Sequence, residues 1–439
     1  MSGLVRKVSA WRVKHAELRA AKQEKVIETD ILSCLQNVGM LEISQLPTID
    51  FCGGELYRVF DPKGRNWTGN FSKNFLINVH PALELATRFL YIPHLLPWWR
   101  KLCFGKVVRD DILPDNPTFY FEDVPASMNP DFGYTFGVFD ELTEYITLSW
   151  DAGISVGPPA GVQGSTHFGI GESTSARKIL YPSFINPQWP EAYPNVGFDN
   201  IIKIHPRNME YFSREDIPLT EYYHTLFRVA MILVHELAHA IEHFRLGPGK
   251  KARPSVWHSL TDLVPEIGTS WEQNLFPYHT TQNLPVLGQN ATARLLPSVI
   301  WATPWPSKSD TAARHWYTSV STPWLAQLFT EGFWSSVRKM GWQAVKVELT
   351  KLTRKGNSFG DGDALLYLHD MLIGMIRYDG DDRWVQPAGP ERVFCSEVKG
   401  RPWEQVKPSN PRYLNLLSRA RYTDDRITEQ GNIKHSSIQ

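Results

Sequence analysis

The sequence has few cysteines and no net charge. Its four cysteines, Cys34, Cys52, Cys103 and Cys395, stand far apart with no Cys-x-x-Cys spacing. That excludes a zinc knuckle and a compact disulfide framework, and the thiols are expected to be reduced. Lysine plus arginine and aspartate plus glutamate both number 46, so no overall field draws the chain to nucleic acid or to an anionic membrane. No apolar run reaches the roughly 18 residues of a membrane span. The N-terminal MSGLVRKVSAWRVKHAELRAAKQEK lacks the apolar core of a secretory signal. A cytoplasmic protein is expected. Leu4, Val8, Trp11 and Leu18 recur at helical spacing among Arg6, Lys7, Arg12 and Lys14, ahead of the first acid at Glu17. A mitochondrial presequence shares that pattern, and an ordinary surface helix is the preferred reading.

What is abundant is apolar and aromatic material, with 16 Trp, 16 Tyr and 22 Phe in 439 residues. Such a chain can bury a sizeable core and divide into two or three domains. The expected division is a mostly helical region over 1–130, a second domain over 131–290, a helical region over 291–420 and a polar tail from 421. Within the first region, residues 1 to about 48 read as helices. Residues 76–104 read as short helices and turns broken by Pro81, Pro93 and Pro97. Leu95, Leu96, Trp98 and Trp99 are expected to pack in the core rather than form a surface patch.

In the second region YTFGVFDE (134–141) and YITLSWD (145–151) are rich in β-branched and aromatic residues and predict a strand pair. The Gly/Pro-rich stretch 153–171 predicts a loop, and NIIKIHP (200–206) another strand. A long helix then runs from Thr220, its expected N-cap, to Leu246, where Gly247, Pro248 and Gly249 stop it. Strands followed by a helix that carries the chemistry make an α+β domain.

That helix contains His235, Glu236, Leu237, Ala238 and His239, an HExxH sequence. Residues four apart lie about 40° apart around a helix, so the two imidazoles can meet one metal ion. Glu236, about 100° round from His235, can reach a water on that ion without ligating it. The helix is apolar nearly all round, from Leu226 through Ile241, as a central core helix is. Two histidines and a glutamate placed there need partners, because an unpaired buried polar group costs roughly 1–3 kcal/mol. Histidines that only hydrogen-bond within a core are the alternative, and a metal satisfies all three residues at once.

HExxH on a helix behind short strands resembles the zincin superfamily of zinc metallopeptidases, over roughly residues 130–290. The metzincin branch extends the motif with a glycine and a third histidine, and Glu242 and Arg245 stand at those positions. The gluzincin branch takes a glutamate from a following helix. Here SVWHSLTDLVPEIGTSWEQNLF (255–276) shows apolar residues at spacings of 3 and 4 and is expected to be that helix. DLVPEIGTSWE is similar to the ligand helix of oligopeptidase-type gluzincins, which implies Glu266 as third ligand, ahead of Glu272, His243 and Asp262. Breakers between Phe244 and Ser255 are expected to turn this helix back antiparallel to the first, a geometry in which Glu272 overshoots Glu266 by about 9 Å. The Glu266-x-Gly268-x-x-x-Glu272 pattern is also similar to a segment of poorly characterised fungal HExxH proteins.

Asp262 and Ser270, one turn either side of Glu266, are candidates either to orient a ligand histidine or to be surface residues, and Glu242 and His243 are expected to be a solvated helix end. TPWLAQLFTEGFWSSVRKMGWQAVKVELTKL is expected to form two amphipathic helices and GDALLYLHDMLIGMIRY another. Tyr317, His315 and Arg314 are weak candidates for stabilising an oxyanion. The resemblance implies Zn2+ as cofactor, a peptide or protein substrate, and hydrolysis in which Glu236 is the general base. A zinc hydrolase of non-peptide substrates and a non-catalytic zinc-binding protein are the alternatives. Glu236 argues against the latter, since a structural site needs no base.

Overall fold

The computed structural model describes residues 46–50, 54–64, 66–110, 118–124, 132–150, 164–171, 197–217, 219–246, 256–262, 266–281, 299–305, 315–356, 364–368, 371–379 and 382–387. The expected helices of residues 1 to about 48 lie outside them as far as residue 45, and residues 46–50 are not helical; the polar tail also lies outside. The described residues form an α+β protein of three sheets and eight α-helices. Among them no helix is long and apolar enough to cross a membrane.

In chain order the first elements are β1 (Trp67–Thr68), α1 (Lys73–Leu90), α2 (Leu96–Phe104), β2 (Val107–Asp110), β3 (Thr118–Phe121), α3 (Phe132–Leu142), β4 (Ile146–Ser149), β5 (Gly164–Gly171) and β6 (Gly197–Ile204). Then follow α4 (Pro206–Phe212), α5 (Leu219–Leu246), β7 (Val256–Trp257), α6 (Ile267–Leu275), β8 (Tyr278–Thr281), β9 (Trp301–Pro304) and β10 (His315–Val320). The last are α7 (Thr322–Gln327), α8 (Glu331–Met340), β11 (Leu349–Gly356), β12 (Ala364–Leu368), β13 (Met371–Asp379) and β14 (Asp382–Pro387).

The sheet that supports α5 has the order β1-β4-β6-β5. β1, β4 and β6 are parallel, and β5 runs antiparallel to β6 at the edge, with Gly164 opposite Ile204 and Gly171 opposite Gly197. β2, β3 and β7 form a small mixed sheet. The strands from β8 to β14 form an antiparallel meander in sequence order.

α5 is the centre of the core. Leu226, Val229, Ala230, Leu233, Val234, Leu237, Ala238 and Ala240 have no exposed surface. Each fully buried leucine or valine contributes roughly 1.5–3 kcal/mol of hydrophobic stabilisation before entropy is counted. The helix packs against β5, β6, α1, α2, α6 and α7. Two buried side chains fasten it. Asn200 of β6 donates from Nδ2 to the Ala240 carbonyl at 2.9 Å. His224 accepts the Ile300 N–H at Nδ1, 3.1 Å, and therefore donates from Nε2 to Thr322 Oγ1 at 3.0 Å. Burial pushes the His224 pKa down to about 3, so this histidine is a neutral structural group.

Several sequence expectations are corrected. Residues 134–141 belong to α3, not to a strand: Phe136, Phe139 and Leu142 turn inward and pack toward Trp99, overriding β-propensity. Pro81 does not break its segment but sits within α1. Ile77, whose carbonyl the missing N–H leaves unbonded, is 58% exposed. Pro93 and Pro97 do mark boundaries: Pro93 opens a short 3-10 turn, Pro93–Leu95, and Pro97 sits in the first turn of α2, where no N–H is needed. Trp98, Trp99 and Leu95 are buried as expected. The glycine-rich loop yields an edge strand, β5, because pairing along β6 satisfies its backbone. Thr220 is not the N-cap, since α5 already includes Leu219. Among the described residues of the C-terminal part, α-helix is confined to α7 and α8; beyond them, GDALLYLHDMLIGMIRY supplies β12 and β13, paired with Leu368 opposite Met371.

Candidate metal centre

His235 and His239 lie on α5, and the structure brings Glu266 to both. One ligand atom from each of the three lies within 4.8 Å of the others. His239 Nε2 is in direct contact with Glu266 Oε1, and His235 Nε2 is 3.5 Å from the same oxygen. The side chains of His235, His239 and Glu266 are 22%, 21% and 33% exposed, so each keeps part of its surface open.

The second half of the site differs from the expected long helix. A short strand, β7, pairs with β3, and residues 258–262 turn before α6 begins at Ile267. The sequence reason for the shortening is Pro265, since a proline removes a helical hydrogen bond and is best accommodated ahead of a helix or in its first turn. Glu266 thereby becomes the N-cap of α6, and its carboxylate accepts hydrogen bonds from the N–H groups of Gly268, at 3.1 Å, and Thr269. Capping holds the carboxylate in place and sets it at the positive end of the helix. α6 runs antiparallel to α5: Glu266 meets His239, Glu272 meets His235, and Phe276 stacks near Phe227 with ring centroids 5.7 Å apart.

Glu272 is not brought in as a ligand. Its Oε1 lies 2.8 Å from His235 Nδ1, which fixes that ring's tautomer and leaves Nε2 for an ion. Glu242 plays a looser version of this role, 3.5 Å from His239 Nδ1. It is buried, as is His243, whose Nδ1 lies 3.4 Å from Asn200 Oδ1; neither belongs to a solvated helix end. Asp262 and Ser270 are not orienting groups either. Asp262 accepts the Ser259 N–H, and Ser270 accepts the Trp98 indole N–H. Carboxylates following the motif at positions 242 and 272 were the available signal, since either can reach a ring nitrogen.

The charges of the site reinforce one another. Burial opposes the imidazolium of His235, but Glu266 and Glu272 outweigh it and lift the pKa to about 10. His239 is raised in the same way, against burial, by Glu242 and Glu266. Burial favours the neutral acid of Glu266, yet the two histidines and the Thr269 side chain hold it well below the usual carboxylate range. The contrast with His224 on the same helix separates a structural histidine from a site with anionic partners. A divalent ion needs neutral imidazoles and so displaces these protons. Two Nε2 atoms and one carboxylate oxygen, with both Nδ1 atoms turned toward carboxylates, fit an ion of borderline softness.

Gly268 is a steric requirement of this arrangement. A Cβ there would lie 2.4 Å from His235 Nε2 and Cδ2. Glycine costs a helix about 0.5–1 kcal/mol relative to alanine, so propensity alone favours Gly268→Ala. The expected result is the reverse for the metal: affinity falls about 10- to 100-fold as the ring is displaced, read by competition with a chromophoric chelator. Unchanged affinity in Gly268→Ala contradicts the close approach.

Glu236 is 6% exposed and stands outside the ligand trio. Its Oε2 is 2.8 Å from Thr166 Oγ1 on β5, a partner for which the sequence carries no signal. Of the oxyanion candidates, Tyr317 is fully buried on β10 and so offers no surface to a substrate. The side chain of His315 and the whole of Arg314 lie outside the described residues. The chain has no match among models of known protein families, curated proteins or solved structures, so the geometry of the site carries the functional reading.

Proposed function

We propose that the chain is a zinc-dependent metallopeptidase of the gluzincin-like kind, with His235, His239 and Glu266 as ligands and Glu236 as general base. The observation that carries this reading is the convergence of the three ligand atoms to within 4.8 Å beside Glu236. Zinc, when bound to such a trio, keeps an open position and supplies the Lewis acidity that activates a water near neutral pH and polarises a carbonyl. Glu236 takes the proton from the attacking water and passes it to the leaving amine. Glu272 and Glu242 hold the two imidazoles, and the α6 N-terminus holds Glu266. A zincin-like arrangement of sheet and metal helix is supported by α5 lying against β5 and β6.

A peptide substrate is favoured by β5. It is the edge of its sheet among the described strands, and an edge strand can take an extended peptide through backbone hydrogen bonds. A cytoplasmic setting fits Cys103, a buried free thiol. The test uses the full chain and a quenched-fluorescent library of random peptides. Hydrolysis should vanish on chelation and return with zinc but not with magnesium, which favours all-oxygen sites. Cleavage that survives complete metal removal, or a zinc-loaded chain that cleaves nothing in the library, overturns the proposal.

A further inference from the structure

We propose that Thr166 is a positioning residue for Glu236, fixing one carboxylate oxygen and leaving the other to meet a proton donor. The inference rests on the metallopeptidase reading, but its geometry is independent of the metal. Thr166 lies opposite Ile202 of β6, and Ile202 is fully buried. Directly opposed residues share a face of the sheet, so the Thr166 side chain lies on the face that packs on α5. Its Oγ1 stands 2.8 Å from Glu236 Oε2 and 2.9 Å from the Glu236 carbonyl oxygen.

A hydroxyl has one proton to give. The Glu236 carbonyl already faces the N–H of Ala240 within the helix. A charged carboxylate is the stronger acceptor, so the proton goes to Oε2. No hydrogen bond reaches Oε1 from the described residues. Threonine suits the task because its branched Cβ restricts χ1, and the eight-residue pairing of β5 with β6 fixes the backbone beneath it. The clamp therefore joins the edge strand to the residue that moves the proton.

Thr166→Val removes the hydroxyl and keeps the shape. In the zinc-loaded full chain, kcat on the peptide library is expected to fall about 10- to 100-fold, with KM and zinc affinity unchanged. Thr166→Ser, which restores the hydroxyl, should recover most of the loss. Adding Thr166→Val to Glu236→Gln should cost nothing further, because the threonine acts through the glutamate. Crystal structures of the metal-stripped chain give a readout without turnover: one Glu236 rotamer in the natural sequence, several in Thr166→Val. An unchanged kcat, an additive loss in the double variant, or an identically ordered Glu236 in Thr166→Val overturns the assignment. If the zinc-loaded natural chain hydrolyses no peptide, the metallopeptidase reading falls, and the crystallographic comparison still decides whether Thr166 holds Glu236.

Discussion

Glu236→Gln is expected to retain the metal and lose turnover by about 10²- to 10⁴-fold, the usual contribution of a positioned general base. The amide has nearly the shape of the carboxylate, and its oxygen can still accept from Thr166, so the local packing of a residue only 6% exposed is preserved. What disappears is the ability to accept a proton. Because Glu236 stands outside the trio, metal content should equal that of the natural chain, measured on the same samples used for hydrolysis. Full activity in a metal-loaded Glu236→Gln chain ends the proposed mechanism. Loss of the metal together with activity moves Glu236 from proton carrier to ligand support.

Helix α5 is legible in the sequence because its requirements are local: apolar residues on every side and two histidines four apart. The residues around it are less so, since they arrive from distant segments. Thr166 and Asn200 meet α5 only because β5 and β6 lie under it, and neither carries a motif. Glu266 is identified through resemblance, whereas the reason it is rigid, its place as N-cap after Pro265, emerges from the structure.

Misread elements share a physical cause. In α3, Gly133, Gly137 and Asp140 are exposed while Thr135, Phe136, Val138, Phe139 and Leu142 are buried. That is a helical period, masked by residues that favour strands when taken singly. β12 and β13 fail in the opposite direction, since short apolar runs such as ALLYL fit either period and only the pairing of Leu368 with Met371 decides.

Replacing Glu266 should remove the metal far more completely than replacing Glu272, although both carboxylates touch the same imidazole. Glu266 Oε1 lies beside both Nε2 atoms, where an ion can be shared with them, while Glu272 touches Nδ1 of His235. Loss of an orienting carboxylate of that kind costs about 10- to 100-fold in metal affinity, and this is the expectation for Glu272→Ala. Glu266 also caps α6, and removing a cap costs about 1 kcal/mol of stability, so a simple truncation confounds ligation with folding. Glu266→Asn separates the two. Asparagine is among the best N-caps, but its side chain is one methylene shorter and cannot reach the histidines while capping. The metal-stripped Glu266→Asn chain loses the charge contacts with His235 and His239 but keeps the cap, so its thermal stability should lie above that of Glu266→Ala, while zinc affinity in a chelator competition falls well beyond the Glu272→Ala value. The reverse order, with Glu272→Ala losing more zinc than Glu266→Asn, makes Glu272 the third ligand and reduces Glu266 to a cap.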